Sequence, residues 1–210
     1  TCFIVEKEPG ESFEGITASK KIHKLGYKGL ETVEMSYVDH RVPDTQMLGG
    51  PEGMGNGLRY ALSALELGRI NIASRAVGVG QAAFNAAMKY AQEREAFGKP
   101  IFEHQAIQFK LAEMATKLQA ARLMTYDAAA RFDRGERIDL EAGMAKLFAS
   151  EACFEICIEA LRIHGGNGYT QEYDVERYFR DSPLMIIGEG TSEIQKMVIA
   201  RKLLERHAID

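Results

Sequence analysis

Between His104 and Phe132 the positions Ile107, Leu111, Met114, Leu118, Ala121, Thr125, Ala128 and Phe132 recur alternately four and three residues apart. A seam of that period, sustained over several turns, is one face of a helix in an antiparallel bundle. Upstream, helix formers dominate from about Met54 to Glu95 and predict a first long helix, with a bend near Gly68 or Gly78. Arg94-Glu95-Ala96-Phe97-Gly98-Lys99-Pro100 ends it with Gly and Pro. Arg134-Gly135 breaks the second helix. A third, roughly Leu140–His164, is apolar on most sides and should be the most buried. Gly165-Gly166-Asn167-Gly168-Tyr169 then forces a loop, a short helix around Val175–Arg180 precedes Pro183, and an amphipathic run to Leu204 closes the pattern. Ser192 and Gln195, at the S-x-x-Q spacing of a capping box, predict that this last helix starts at Ser192. Four long helices with short connections predict a four-helix bundle.

The first part of the chain has a different texture. Thr1–Lys7, Ile16–Lys21 and Thr32–Val38 read as strands, with a Pro9-Gly10 turn after the first. Thr32, Glu34 and Ser36 alternate with Val33, Met35 and Tyr37, as in a half-buried strand. Three short strands make a poor independent sheet, so either the sheet packs on the helical part or the chain is the back part of something longer. The fold class is therefore mainly α: a four-helix bundle over residues 51–210, preceded by a partial β-domain of a few antiparallel strands over residues 1–50. No fixed-period repeat or low-complexity tract interrupts this division.

Composition narrows the function classes. Hydrophobic residues make up 46% and charged residues 27% of 210, as in an ordinary globular protein. A net charge of -4 offers no general attraction to nucleic acid or anionic membrane, so an anionic ligand must be held by local arginines. No apolar run approaches the roughly 18–20 residues that span a bilayer, and no stretch reads as a signal peptide. Cys2 stands alone, and Cys153 and Cys157, i,i+4 on a helix, read as small core residues rather than a disulfide framework.

Five places could carry chemistry. In Gly188-Glu189-Gly190-Thr191-Ser192-Glu193, a carboxylate lies between glycines that would let a flat ligand approach the backbone; the plainer reading is a charge that complements a helix N-terminus. Gly165-Gly166-Asn167-Gly168 follows a helix, not a strand, so it is no dinucleotide fingerprint; as a helix cap and turn it needs no function. Arg94 with Phe97 offers a cation beside an aromatic, which a phosphate or an adenine could use. His104 and His164 lack second ligands at i+3 or i+4, so no metal site is expected. Arg69, one turn from Glu66, reads most simply as half of a surface ion pair.

Taken together these stretches resemble the acyl-CoA dehydrogenase family. Lys24-Leu25-Gly26, Asp39-His40-Arg41-Val42-Pro43 and Leu48-Gly49 look like the back half of its middle β-domain. Arg94-Glu95-Ala96-Phe97-Gly98-Lys99 with Glu103-His104-Gln105-Ala106, then Gly165–Tyr169, Glu176-Arg177, Arg180-Asp181 and Glu189–Gln195 come in the family's order. The resemblance implies that Glu189 is the base that removes the α-proton of an acyl-CoA. Some members carry that Glu on the first long helix, just before an arginine; here that place is Gly68, before Arg69. It further implies that Arg94 and Phe97 reach the FAD of a neighbouring subunit, that Gln105, Arg162, Gly165 and Gly166 line the same cofactor, and that Thr191 and Glu193 lie near it. Arg69 would sit by the CoA portion, with Gly188 and Gly190 beside the substrate.

The implied mechanism is physically coherent. A base for carbon acid chemistry benefits from poor solvation, donors polarise the thioester carbonyl, and the β-hydrogen leaves as hydride to the flavin. Electrons would pass to an electron-transferring flavoprotein. Position 188 is often tyrosine in straight-chain enzymes, so Gly188 implies a wider pocket for a branched or bulky acyl group. The resemblance expects the N-terminal helical domain and the front of the β-domain to be missing from this chain. It also implies a homo-oligomer, commonly a dimer of dimers, in the bacterial cytoplasm or the mitochondrial matrix, with no nucleic-acid or membrane partner. Competing readings are a flavin oxidase of the same fold and a non-catalytic oligomerisation bundle; relatives that act on nitroalkanes carry Asp where Glu189 stands.

Overall fold

The structure, a computed structural model, describes residues 1–10 and 12–209. It divides into two compact units, Thr1–Leu65 and Glu66–Asp210. In the first, β1 (Ser12–Phe13), β2 (Ile16–Ala18) and β3 (Met35–Tyr37) form an antiparallel sheet in the order β1-β2-β3, with Ile16 opposite Tyr37 and Ala18 opposite Met35. Two of the predicted strands are shorter than expected, and the predicted strand at Thr1–Lys7 is not formed. Phe3 makes one isolated bridge to Met47, with Ile4 N–H donating to Gln46 and Leu48 N–H to Cys2. The partner segment explains this: Asp44–Gln46 coils into a 3-10 turn directly after Pro43 and cannot extend a ladder. The expected half-burial of Thr32–Val38 also fails. Only Met35 turns partly inward, and Tyr37 and Val38 are exposed, whereas Ile16 on the neighbouring β2 is buried. A second 3-10 turn, Gly50–Gly53, leads to α1 (Gly57–Glu93).

The second unit contains the bundle. After α1 come a small hairpin, β4 (Glu95–Ala96) and β5 (Lys99–Pro100), then α2 (Gln105–Asp133) and α3 (Asp139–His164). Two short helices, α4 (Val175–Asp181) and α5 (Pro183–Ile187), precede α6 (Ser192–Arg206). The sequence pattern does not predict α5: Pro183 sits at its first turn, where a missing N–H costs nothing, and so starts a helix instead of only ending one.

Helix α3 is the central element and packs against α2, α4, α5 and α6. The predicted α2 seam from Leu111 to Ala128 is buried, while Phe132 at its end is exposed. On α1, Ala73, Ala76, Ala83, Ala87 and Ala91 are buried. These small side chains bring the backbone close to its neighbours, and a methyl added at Gly80 would touch Leu118 of α2 and Ile156 of α3. Cys153 and Cys157 are buried core thiols; their mutual hydrogen bond and burial push the Cys153 thiol up, away from reactivity. At the far end Arg206 of α6 makes a two-pronged bond to Glu141 of α3 at 2.7 and 3.0 Å, and Lys202 pairs with Asp139. Among the described residues no helix is long and apolar enough to cross a membrane.

Candidate active site

The loop between α5 and α6 is a tight reversal. Gly188 is extended, Glu189 has φ 54° and Gly190 has φ 91°, so two consecutive residues are left-handed before Thr191 returns to the extended region. A left-handed carboxylate residue costs about 1 kcal/mol or more and persists only when its surroundings hold it. Two buried polar side chains do so. The Lys146 ammonium, on α3 and fully buried, donates to the carbonyls of Ile186 at 2.9 Å and Gly190 at 2.8 Å. The Gln195 amide donates to the carbonyls of Glu189 at 3.0 Å and Gly190 at 3.1 Å. Glycine is required at 190 twice over: its φ is strained for other residues, and a Cβ there would lie 2.8 Å from Gln195 Nε2.

This arrangement corrects the predicted capping box. Helix α6 begins at Ser192 as expected, but the cap is Thr191, whose hydroxyl accepts from Ile194 N–H at 3.4 Å. The Ser192 hydroxyl instead donates to Glu151 at 2.6 Å. Gln195 cannot reach back to a cap N–H, because its amide is committed to the two carbonyls of the loop.

The half-buried Glu189 side chain lies against α1 at Gly68: a Cβ there would sit 2.5 Å from Glu189 Oε2 and 2.7 Å from Cδ. The carboxylate therefore occupies the space that any side chain at 68 would fill. Arg69 is next in the chain, and here the simple reading fails. It is buried rather than on the surface, makes no ion pair with Glu66, and its Nε has no partner among the described residues. One turn on, Ile72 lies beneath Gly188, 3.5 Å from where its Cβ would be. The Glu189 N–H has no acceptor among the described residues, which leaves a donor beside the carboxylate. Burial holds the Lys146 ammonium below the usual lysine range; Glu151 opposes this, Arg69 adds to it, and Glu193 and Glu189 oppose it more weakly. The exposed Glu193 carboxyl is held low by its own backbone N–H and the Thr191 hydroxyl.

A second feature lies at the ends of α1 and α3. Tyr90, Arg94, Ile101, Ile163, His164, Gly165, Gly166 and Asn167 line a cleft of about 350 Å³. The Tyr90 and His164 rings stack at 4.2 Å, and Asn167 donates to the Tyr90 hydroxyl at 3.0 Å. His164 Nδ1 donates to the Ala160 carbonyl at 2.8 Å, which leaves Nε2 as the free nitrogen; burial pushes the imidazole below its usual value, the Ala160 bond opposing. Arg94, Gly165 and Gly166 of the predicted cofactor set thus share one cleft. Its make-up of apolar wall, stacked aromatic, cation and glycine edge suits an aromatic heterocycle carrying phosphates.

The other predicted cofactor residues are not brought into this cleft. Phe97 sits at the tip of the β4–β5 hairpin, in a two-residue turn with φ 53° at Phe97 and 80° at Gly98. It is 96% exposed and touches His104 edge-on, with ring centres 5.9 Å apart. Gln105, at the start of α2, is exposed. Arg162 is exposed and paired with Glu159, which also binds Lys110. Thr191 and Glu193 belong to the Glu189 loop instead. Sequence reasoning missed Lys146, Tyr90 and the stacked role of His164. Lys146 did leave a signal, as the one charged residue in the apolar run Ala142–Ala149. Among the described residues no group of three or more His, Cys, Asp or Glu side chains could hold a metal ion.

A helical bundle with a carboxylate loop lying on its first long helix is the class this geometry defines. The model of the acyl-CoA dehydrogenase C-terminal domain matches residues 55–204, and the chain belongs to that family. It is 46% identical over 206 residues to the caffeyl-CoA reductase-Etf complex subunit CarC of Acetobacterium woodii, covering 98% of this chain and 52% of that protein. It is 46% identical over 193 residues to the mitochondrial short-chain specific acyl-CoA dehydrogenase of Bos taurus, covering 92% and 46%. The structure of butyryl-CoA dehydrogenase from Megasphaera elsdenii superposes with a TM-score of 0.90 at 40% identity, covering 96% of this chain and 51% of that one. The chain spans about half the length of the relatives it matches.

Proposed function

We propose that this chain is the C-terminal part of an FAD-dependent acyl-CoA dehydrogenase, which converts an acyl-CoA thioester to the trans-2-enoyl-CoA. The observation that carries the reading is the Glu189 carboxylate lying in the space vacated at Gly68, on a reversed loop pinned by Lys146 and Gln195. Glu189 takes the α-proton. Its own backbone N–H is positioned on the same residue to donate to the thioester oxygen as negative charge develops there. Arg69, buried with an Nε that has no partner among the described residues, serves the CoA portion of the substrate. Gly188 and Gly190 form the floor beside the reacting carbons. FAD, when bound, supplies the acceptor for the β-hydrogen, which leaves as hydride.

The FAD of a neighbouring subunit is held by Arg94, Gly165 and Gly166 at the cleft together with Phe97, Gln105 and Arg162, all six of them exposed in this protomer. Their exposure in one protomer supports a homo-oligomer, for which the family resemblance implies a dimer of dimers. An electron-transferring flavoprotein takes the electrons; a relative named as a subunit of an Etf complex supports this. Gly188 favours a branched or bulky acyl group; a relative named as a caffeyl-CoA reductase subunit supports this, and an equally identical one named short-chain specific does not. The protein works in the bacterial cytoplasm or the mitochondrial matrix. The test is anaerobic titration of the flavin-loaded, full-length protein with acyl-CoA thioesters of graded chain length and branching. Bleaching of the flavin absorbance on mixing, with slow peroxide formation in air, is expected. A flavin that stays oxidised with every thioester would overturn the reading, and rapid peroxide release would replace it with an oxidase.

A further inference from the structure

We infer that Lys146 and Gln195 are positioning residues for the reaction: together they hold the Glu189 backbone in its left-handed conformation and so aim its carboxylate and N–H. This rests on Glu189 being the base. Among the described residues four side-chain hydrogen bonds reach the five-residue segment Ile186–Gly190, and both donor side chains lie outside it, one on α3 and one on α6. The two donors converge on Gly190, whose carbonyl accepts from both. Lys146 and Gln195 are each fully buried, so neither is available to touch solvent or a partner. A buried ammonium is an expensive way to fill a core, and burial already disfavours its charge. Its retention amid Ala142, Gly143, Ala145 and Ala149 of an apolar helix is accounted for by the two loop carbonyls to which it donates.

The orientation of the Gln195 amide is fixed by the same logic. Two carbonyl acceptors demand Nε2 on that side, and Oε1 then faces Gly143, without a donor among the described residues. An acceptor left unsatisfied in the core is the cost of directing both N–H bonds at the loop. Without the braces Glu189 would relax toward negative φ, which swings both the carboxylate and the N–H, and a displacement near 1 Å is enough to cost about 100-fold in rate.

The test compares Lys146→Met, Lys146→Arg, Gln195→Met and Glu189→Gln in the flavin-loaded, full-length protein. Three readouts are taken: the kcat and KM split, α-proton exchange into solvent from a thioester that cannot be oxidised, and the φ of Glu189 in crystal structures. Lys146→Met is expected to retain flavin and a cooperative melt while kcat and exchange fall about 10- to 100-fold, KM changes less than about 3-fold, and φ of Glu189 leaves the left-handed region. Lys146→Arg, which keeps charged donors, should recover part of the loss. If Lys146→Met does not fold, Gln195→Met decides by the same criteria, with about a 10-fold loss expected. Rates within about 2-fold of wild type, or an unchanged φ, in the deciding variant overturn the inference. The Glu189→Gln control separates the two claims: if it is inactive while the brace variants are normal, only the positioning role fails; if it is active, the assignment of the base fails.

Discussion

At the residue scale, the decisive feature is a reciprocal fit between Glu189 and Gly68. The carboxylate fills what would be a side chain's volume on α1, so neither residue can change alone. Gly68→Ala should displace the carboxylate and lower kcat of the full-length enzyme by about 10- to 100-fold with flavin binding unchanged, as steady-state kinetics and flavin absorbance would report. Gly190→Ala meets both a φ of 91° and the Gln195 amide, and should destabilise by about 1–2 kcal/mol or more in denaturant unfolding. Part of this was legible in the sequence, because an acid between two glycines marks a place where a ligand can approach the backbone; the left-handed reversal was not. Lys146 was not, since nothing local in an apolar helix says that its one ammonium points at carbonyls 40 and 44 residues away.

At the element scale, periodicity predicted what packing then enforced. The α2 seam is buried from Leu111 to Ala128, and truncating its centre with Leu118→Ala should cost about 2–5 kcal/mol in chemical denaturation. What periodicity could not supply was the competition for polar partners. The capping box read from Ser192 and Gln195 gave way to Thr191 because those two side chains are taken up by Glu151 and by the loop carbonyls. The short strands fell outside its reach too, since their burial depends on a covering layer, not on their own alternation. His164 brings a pH dependence with a definite sign. Its folded-state pKa lies below the unfolded value near 6.5, so the unfolded chain binds the proton more readily. Stability is therefore full above about pH 7 and falls as pH drops through 6.5 toward the folded pKa. Melting temperatures between about pH 7.5 and 5 should show the decline, and His164→Phe, which keeps the ring against Tyr90, should flatten it.

At the scale of the whole molecule, the division into Thr1–Leu65 and Glu66–Asp210 lies within α1, so helix continuity and compactness mark different boundaries. Candidate chemistry collects in the second unit, where Arg94, Gly165 and Gly166 share a cleft while Phe97, Gln105 and Arg162 lie outside it, a placement that motif order along the chain does not give. Met197 and Leu204 leave apolar surface exposed on α6. If this face joins subunits, Met197→Glu should shift the light-scattering mass of the full-length protein toward smaller assemblies. The deciding comparison in that same protein is the rate of deuterium exchange at the α-carbon of an acyl-CoA with and without Glu189→Gln. The amide keeps the size of the side chain and removes its basicity, so exchange should fall to the uncatalysed rate while FAD remains bound. Exchange that proceeds at the wild-type rate would rule out Glu189 as the base.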